Sequence, residues 1–305
     1  MTNPLIIDEL LTIRDYMRWA QSRFKAGEIF YGHGTDNAHD EAVQLILPLL
    51  DLPLDFDPRL LDARLIRDER IRLVEAINSR VDERLPVPYI TGEAWFAGMP
   101  FYVDERVLIP RSPIAELIAV DFQPWLGDIE PLRILDLCTG SGCIGIACAL
   151  QFPDASVDLV DISEDALDVA ESNVVRYALE ERVDCIESDL FTELTDLRYD
   201  LIVSNPPYVD ARDIAEMPPE YRHEPQLGLV AGEDGLDIVR RILLEAPDYL
   251  NEGGLLIVEV GNSWLALEEA FPAVAFTWIE FEHGEDGVFC FNREELLAYA
   301  ALFSA

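Results

Sequence analysis

Apolar residues at Ile6, Leu10, Ile13, Met17, Ala20 and Phe24 recur at alternating steps of four and three, which puts them on one stripe of a helix. The spacing predicts a first helix running through all six. Ala42, Leu45, Ile46 and Leu49 repeat the pattern before Pro53, and Ile71, Val74, Ile77 and Val81 repeat it before Pro86. Residues 1–85 therefore read as a small helical domain. From Val87 to Leu108 the period gives way to aromatic and β-branched residues (Tyr89, Ile90, Trp95, Phe96, Phe101, Tyr102, Val103), interrupted by Ala97-Gly98-Met99-Pro100. Residues 86–112 are expected to form a linking β-hairpin.

After Pro113 short apolar runs alternate with longer helical ones, the pattern of a parallel sheet wound with helices. Strands are expected at Leu132 to Leu137, Ser156 to Asp161, Val183 to Glu187, Leu201 to Ser204 and Leu255 to Val260. Helices follow the first two, at Cys143 to Gln151 and Ser163 to Leu179. No apolar crossover helix can be read between Glu187 and Leu201, so that link is short. Phe276 to Phe281 and Val288 to Phe291, joined by Glu282 to Gly287, look like an antiparallel pair closing the sheet. The expected fold class is α/β: a Rossmann-like, mostly parallel sheet at 113–305, preceded by the helical domain and the hairpin.

Composition narrows the function classes. A chain of 305 residues, half of them hydrophobic and 27% charged, with 17 Gly and 19 Pro, is folded and not low-complexity. The 22 basic residues face 59 acidic ones, a net charge of −37, and Lys25 is the one basic residue that is not arginine. Such a field repels naked nucleic acid and anionic membrane. It favours a basic partner, or it is a salt-adapted surface with no bearing on partners. Cys138, Cys143, Cys148, Cys185 and Cys290 are odd in number and lack any C-x-x-C pair, and His39, His223 and His283 have no partners at ligand spacing. Neither a disulfide framework nor a metal site is expected. With Asp8 and Glu9 in the first apolar stretch and no run of 18 apolar residues, the expectation is a cytoplasmic chain that neither crosses nor binds a membrane.

The candidate chemistry lies at strand ends. Ile134-Leu135-Asp136-Leu137-Cys138-Thr139-Gly140-Ser141-Gly142 puts an acid at the end of one strand and then a glycine turn opening a helix, where open α/β sheets bind ligands. Gly140, Gly142 and Gly145 also fit G-x-G-x-x-G, which suits either a nucleotide site or close packing of strand on helix. Asp161, ending the next strand, is placed to accept both hydroxyls of a ribose. Asp189, after the third, can accept from an adenine amino group while Leu190 or Phe191 lies against the ring. Ser204-Asn205-Pro206-Pro207-Tyr208 follows the fourth strand. Its two prolines fix φ and remove two backbone donors, leaving carbonyls as acceptors beside the Asn205 side-chain oxygen. That suits a planar nitrogen with two hydrogens, with Tyr208 stacked on the planar group. Val209 to Gly232, long and without apolar periodicity, reads as a functional loop covering the substrate, with Glu224-Pro225 near the site.

These motifs, together with Leu108-Ile109-Pro110-Arg111, resemble the class I methyltransferases that use S-adenosylmethionine, and among them the HemK-like protein-glutamine methyltransferases. Phe30-Tyr31-Gly32-His33-Gly34-Thr35-Asp36 and Glu285-Asp286-Gly287-Val288-Phe289 look like the PrmB branch, which methylates a glutamine of large-subunit ribosomal protein number three. The resemblance implies that residues 113–305 are the catalytic domain and 1–85 recognise the substrate. It further implies that Asp136, Gly140, Gly142, Asp161, Asp189, Leu190 and Asn205 hold S-adenosylmethionine. Asn205, Pro206, Pro207 and Tyr208 would hold the substrate amide, with Asn205, Pro206 and Tyr208 carrying catalysis. Cys138 departs from the family, standing where many class I methyltransferases have the first glycine of the turn. Methylation of an amide needs no strong base, so His33 is not expected to act in catalysis. Three other readings stay open: release factors as glutamine donors, the exocyclic amine of adenine in nucleic acid, and a ribosome-assembly factor without turnover. The net charge argues against the nucleic-acid reading.

Overall fold

The structure, a computed structural model, describes residues 4–210, 213–282 and 287–304. It divides into two compact units. The first comprises Met1–Ala94, Val103–Glu105 and Pro218–His223; the second comprises Trp95–Tyr102, Arg106–Met217 and Glu224–Ala305.

The first unit is helical: α1 Pro4–Glu9, α2 Ile13–Ala26, α3 Ala38–Leu49, α4 Arg67–Asp82 and α5 Val87–Thr91. The single first helix expected from the apolar stripe is in fact two. Thr12 accepts from the Asp15 N–H at 3.2 Å and the Asp15 carboxylate accepts from the Thr12 N–H at 2.9 Å, a capping box that starts α2 afresh. The stripe survives the break, since Ile13, Met17, Ala20 and Phe24 are buried together with Leu45, Ile46, Val74 and Ile77. Tyr89 and Ile90, expected in the hairpin, lie on α5, which begins beside Pro86 and Pro88, residues suited to a first helical turn.

Two short strands follow, β1 Glu93–Phe96 and β2 Met99–Tyr102. Ala97 and Gly98 both have positive φ, at 48° and 75°, as a two-residue hairpin turn requires. Met99 and Pro100 belong to β2 and not to the turn as expected.

The second unit continues with α6 Ile114–Ala119, β3 Arg133–Leu137, α7 Cys143–Gln151, β4 Ser156–Asp161, α8 Glu164–Arg176, β5 Val183–Glu187 and β6 Tyr199–Ser204. Then come α9 Asp213–Glu216, α10 Gln226–Leu229, α11 Asp237–Tyr249, β7 Leu250–Glu259, α12 Trp264–Ala270, β8 Thr277–Trp278, β9 Val288–Asn292 and α13 Arg293–Phe303. The sheet order is β5-β4-β3-β6-β7-β9-β8, parallel from β5 to β7, with β9 antiparallel to both its neighbours. Alternate residues of each strand face opposite layers. Ile134, Val157, Leu201 and Ile257 join residues of α6, α7 and α8 on one face, and Leu135, Val160, Ile202 and Val258 join residues of α11 and α13 on the other.

The chain winds outward from β3 to β5 and returns to β6 on the other side of β3. Strand order therefore reverses between β3 and β6, and the crevice beyond their carboxyl ends is where such a sheet binds ligands. The expected antiparallel closure is present but β8 is only two residues long, and of the connection Glu282 to Gly287, residues 283–286, including His283, Glu285 and Asp286, lie outside the described residues. Strand β7 begins five residues earlier than expected, at Leu250, because Tyr199 pairs with Leu250; the register then shifts across Gly253 and Gly254 before Leu201 pairs with Leu255.

Candidate functional site: the carboxyl ends of the central strands

Strands β3 and β6 pair at Leu137 and Ser204, and the Ser204 hydroxyl donates to the Leu137 carbonyl at 2.8 Å. This register sets the glycine turn and Asn205 at adjacent strand ends. Asp136, fully buried, accepts with Oδ2 from the Thr139 hydroxyl at 2.6 Å and from the Gly145 N–H at 2.8 Å. Its Oδ1 is buried with no hydrogen-bond partner among the described residues. Burial pushes the carboxyl up to about 7.

The three glycines of the motif divide by function. Gly140 has φ +54°, and a Cβ there would meet nothing within 4 Å. Its N–H donates to Asp161 Oδ2 at 2.9 Å. Gly142 does not share that open setting: a Cβ would stand 3.1 Å from Ile146 and Leu159 and 3.2 Å from Ala170, and its N–H bonds to the Thr139 carbonyl. At Gly145 a Cβ would meet Leu159 at 2.2 Å. Packing of α7 on the sheet thus accounts for Gly145, a left-handed φ of +79° in tight surroundings for Gly142, and an open cradle for Gly140. Cys138 takes φ +58°, a left-handed conformation that glycine adopts freely and a cysteine holds at a cost of about 1 to 3 kcal/mol. Burial pushes its thiol well above the usual range.

Asp161 ends β4, and its Oδ1 accepts from the Ser163 N–H at the start of α8. Burial raises its pKa, although the N–H of Gly140 and that of Ser163 pull the other way. Asp189 is exposed, and Arg241 of α11 donates to its Oδ1 at 2.7 Å. Arg241 was not legible as a site residue. Leu190 is only 5% exposed, and Phe191 is fully buried, stacked on Tyr249 at 4.6 Å. Of the two residues offered for the ring contact, Leu190 is the one that keeps some exposure.

At the end of β6, Pro206 is buried while Asn205, Pro207 and Tyr208 are partly exposed. The Asn205 side chain makes no hydrogen bond to any other described residue. Tyr208 is held on several sides. Its hydroxyl donates to Glu259 Oε1 at 3.1 Å, its carbonyl accepts from the Ser263 hydroxyl at 2.7 Å, and a Cβ at Gly261 would stand 2.5 Å from its ring. Glu259, 5% exposed, also accepts from the Ser112 hydroxyl at 2.5 Å. Neither Glu259 nor Ser112 was found from sequence, because 147 residues separate them and nothing local marks either.

The Val209 to Gly232 connection is more structured than its sequence suggests. It contains α9 and α10, and Val209 and Val230 pair in a parallel bridge that closes its base. Glu224 is buried and bound by both terminal nitrogens of Arg111, at 2.6 and 2.9 Å, and by the Ile109 N–H at 3.1 Å. The Leu108-Ile109-Pro110-Arg111 motif is thus an anchor for Glu224.

His33 lies elsewhere. In the helical unit it is buried against the Tyr221 ring at 4.7 Å. Arg80 of α4, 1% exposed, there binds Glu41 at 2.5 Å, the Phe30 carbonyl at 2.6 Å and Glu220 at 3.4 Å. Burial would raise the Glu220 carboxyl, but the Phe30 N–H and Arg80 outweigh it and lower its pKa. His39 is exposed and bonds to Gln21, and His223 is partly exposed and bonds to the Glu83 carbonyl. No group of three or more His, Cys, Asp or Glu able to hold a metal occurs among the described residues.

An unpartnered buried carboxylate oxygen at Asp136 and open space over Gly140, at the reversal point of this strand order, suit a ligand that brings a donor or a positive charge. The sheet and site define a class I methyltransferase, whose cofactor is S-adenosylmethionine. Residues 125–217 match the family described as Methyltransferase small domain. The chain is 51% identical over 299 residues to the ribosomal protein uL3 glutamine methyltransferase of Francisella tularensis subsp. tularensis, covering 98% of this chain and 95% of that protein. It is 52% identical over 294 residues to the protein of the same description from Xanthomonas campestris pv. campestris, covering 96% of this chain and 95% of that one. The chain belongs to the family of ribosomal protein uL3 glutamine methyltransferases.

Proposed function

We propose that this chain methylates the side-chain amide nitrogen of a glutamine in ribosomal protein uL3, in the cytoplasm. The observation that carries the reading is Asn205: a partly exposed amide with no hydrogen bond to a described residue, at the reversal point of the sheet, followed by two prolines. The residues fit the cofactor. Asp136 and Asp161, with the open backbone at Gly140, would hold it, and Asp189 and Leu190 would border its base. Bound there, S-adenosylmethionine supplies an electrophilic methyl group.

The chain's own residues prepare the acceptor. An amide nitrogen is a weak nucleophile because its lone pair is delocalised. The Asn205 side-chain oxygen and the Pro206 carbonyl accept its two N–H bonds, which raises electron density on nitrogen and fixes its direction. Pro207 holds that carbonyl in place by locking φ, and the Tyr208 ring lies on the amide plane. The nitrogen loses one proton to solvent as the new C–N bond forms, so no buried base is required. Orientation of this kind reaches about 7 to 11 kcal/mol in favourable systems.

The helical unit is assigned to recognition of the protein substrate, and a chain of net charge −37 suits a basic one. The test is incubation of the protein and S-adenosylmethionine with uL3, with release factors and with adenine-containing nucleic acid, followed by mass spectrometry. The expected result is a gain of one methyl group on a single glutamine peptide of uL3. Methylation of a release factor or of nucleic acid instead would replace this reading. Tight binding of uL3 without turnover would make the protein an assembly factor.

A further inference from the structure

Tyr208 is held by more than its place after two prolines. Its phenol reaches the buried carboxylate of Glu259 at the end of β7, and the other oxygen of that carboxylate takes the Ser112 hydroxyl at the start of α6. Ser112 Oγ in turn accepts from the Ile114 N–H at 3.2 Å. Behind the ring lies Gly261, with φ +43°, where any side chain would overlap Cε2 and Cζ of Tyr208. One residue further along each strand, the parallel register of β6 on β7 pairs Ser204 with Val258, so Asn205 and Glu259 leave neighbouring strand ends side by side.

A buried carboxylate is an expensive way to fix a tyrosine unless the tyrosine must be fixed. Desolvation of a buried carboxylate has to be matched by hydrogen bonds, and two of them here come from hydroxyls drawn from chain segments about a hundred residues apart. Nothing in the pairing serves the sheet ladder, because Glu259 lies at the last rung of β7 opposite Val288.

We propose that Glu259 is a positioning residue for methyl transfer: through the Tyr208 hydroxyl it sets the plane of the aromatic ring, and so the angle at which the substrate amide meets the Asn205 oxygen. Ser112 completes the device by fixing the second carboxylate oxygen. This rests on the glutamine-methyltransferase reading above. It makes Glu259 and Ser112 act on the rate of the reaction and not on the affinity for cofactor or protein substrate.

The experiment compares Glu259→Gln, Tyr208→Phe, Ser112→Ala and their double combinations, measuring kcat and KM with uL3, affinity for S-adenosylhomocysteine by calorimetry, and thermal stability. Loss of a hydrogen bond to a charged group corresponds to about a 10- to 100-fold change. Glu259→Gln and Tyr208→Phe should each lower kcat by that order, with KM and S-adenosylhomocysteine affinity within about twofold of the wild type. The double variant should be no slower than the slower single, as expected for groups acting through one another. Multiplicative losses, full activity in Tyr208→Phe, or a Glu259→Gln defect that falls on cofactor affinity and melting temperature would overturn the proposal. If Glu259→Gln does not fold, Ser112→Ala decides: it should slow the wild type and have no effect in the Tyr208→Phe background, and an equal effect in both backgrounds would overturn the link. A wild-type chain that leaves every glutamine of uL3 unmethylated overturns the function itself, whereas an active wild type with multiplicative losses overturns only the role of Glu259.

Discussion

Asp136 should make cofactor affinity depend on pH near neutrality. Its carboxyl is pushed up to about 7 by burial, and one of its oxygens has no hydrogen-bond partner among the described residues. An acid whose folded pKa lies above its unfolded value contributes stability that is present below about pH 4 and is lost as pH rises through about 7. A bound cation reverses that loss, because it favours the ionised form. If the cofactor's ammonium requires ionised Asp136, apparent affinity follows the ionised fraction, about 0.01 at pH 5, 0.09 at pH 6 and 0.5 at pH 7. Affinity should then rise about ninefold from pH 5 to 6 and about fivefold from pH 6 to 7, together about 2.3 kcal/mol. Calorimetric titration with S-adenosylhomocysteine, which keeps the ammonium and undergoes no turnover, reads this directly. Asp161, whose pKa is also raised by burial, contributes a slope of its own, so the Asp136→Asn variant is the reference. Its profile should be much flatter than the wild type's. Equal slopes in the two proteins would refute the assignment of the cation to Asp136.

Four further outcomes are expected. Asn205→Ala should reduce turnover on uL3 about 100- to 1,000-fold while calorimetry finds cofactor affinity nearly unchanged, and full turnover would remove the amide clamp. Asp161→Ala should weaken S-adenosylhomocysteine by about 1.5 to 3 kcal/mol; unchanged affinity would sink the ribose assignment. Arg80→Met leaves Glu41 buried without its cation and Glu220 with Arg84 alone, and should cost about 3 to 5 kcal/mol in urea denaturation followed by circular dichroism, with a loss below about 1 kcal/mol counting against the network. A net charge of −37 on 14827 Å² of surface, about one per 400 Å², should make the melting temperature climb between about 0.01 and 0.15 M potassium chloride, where the screening length falls from about 30 to 8 Å, and a flat series would refute self-repulsion.

The central sheet was legible because its signals are local. Strands β4 and β5 and helix α7 begin and end where the apolar runs do, and the turn after Asp136 announces itself by glycine. Local signals also misled. The stripe from Ile6 to Phe24 is continuous in sequence, yet Thr12 and Asp15 satisfy each other's backbone and begin a second helix. Long-range pairings left no trace at all. Arg241 meets Asp189 across 52 residues, and Glu224 meets Arg111 across 113. In a chain with 59 acids, which of them is buried against a partner is decided by the fold and not by any neighbour in sequence.

The membership of Pro218–His223 in the helical unit bears on how the protein is made. A ribosome releasing the first 105 residues has produced every α-helix of that unit but not the Glu220 carboxylate that meets Arg80 and Arg84, nor the Tyr221 ring that packs on His33. More than a hundred residues, including four strands of the sheet, must be synthesised before the unit can close. Its last contacts are therefore among the latest to form, with the delay that contacts distant in sequence bring. An expression fragment cut after the hairpin would carry Arg80 without one of its carboxylates, so a fragment of the helical unit designed for study in isolation needs residues 218–223 restored through a linker.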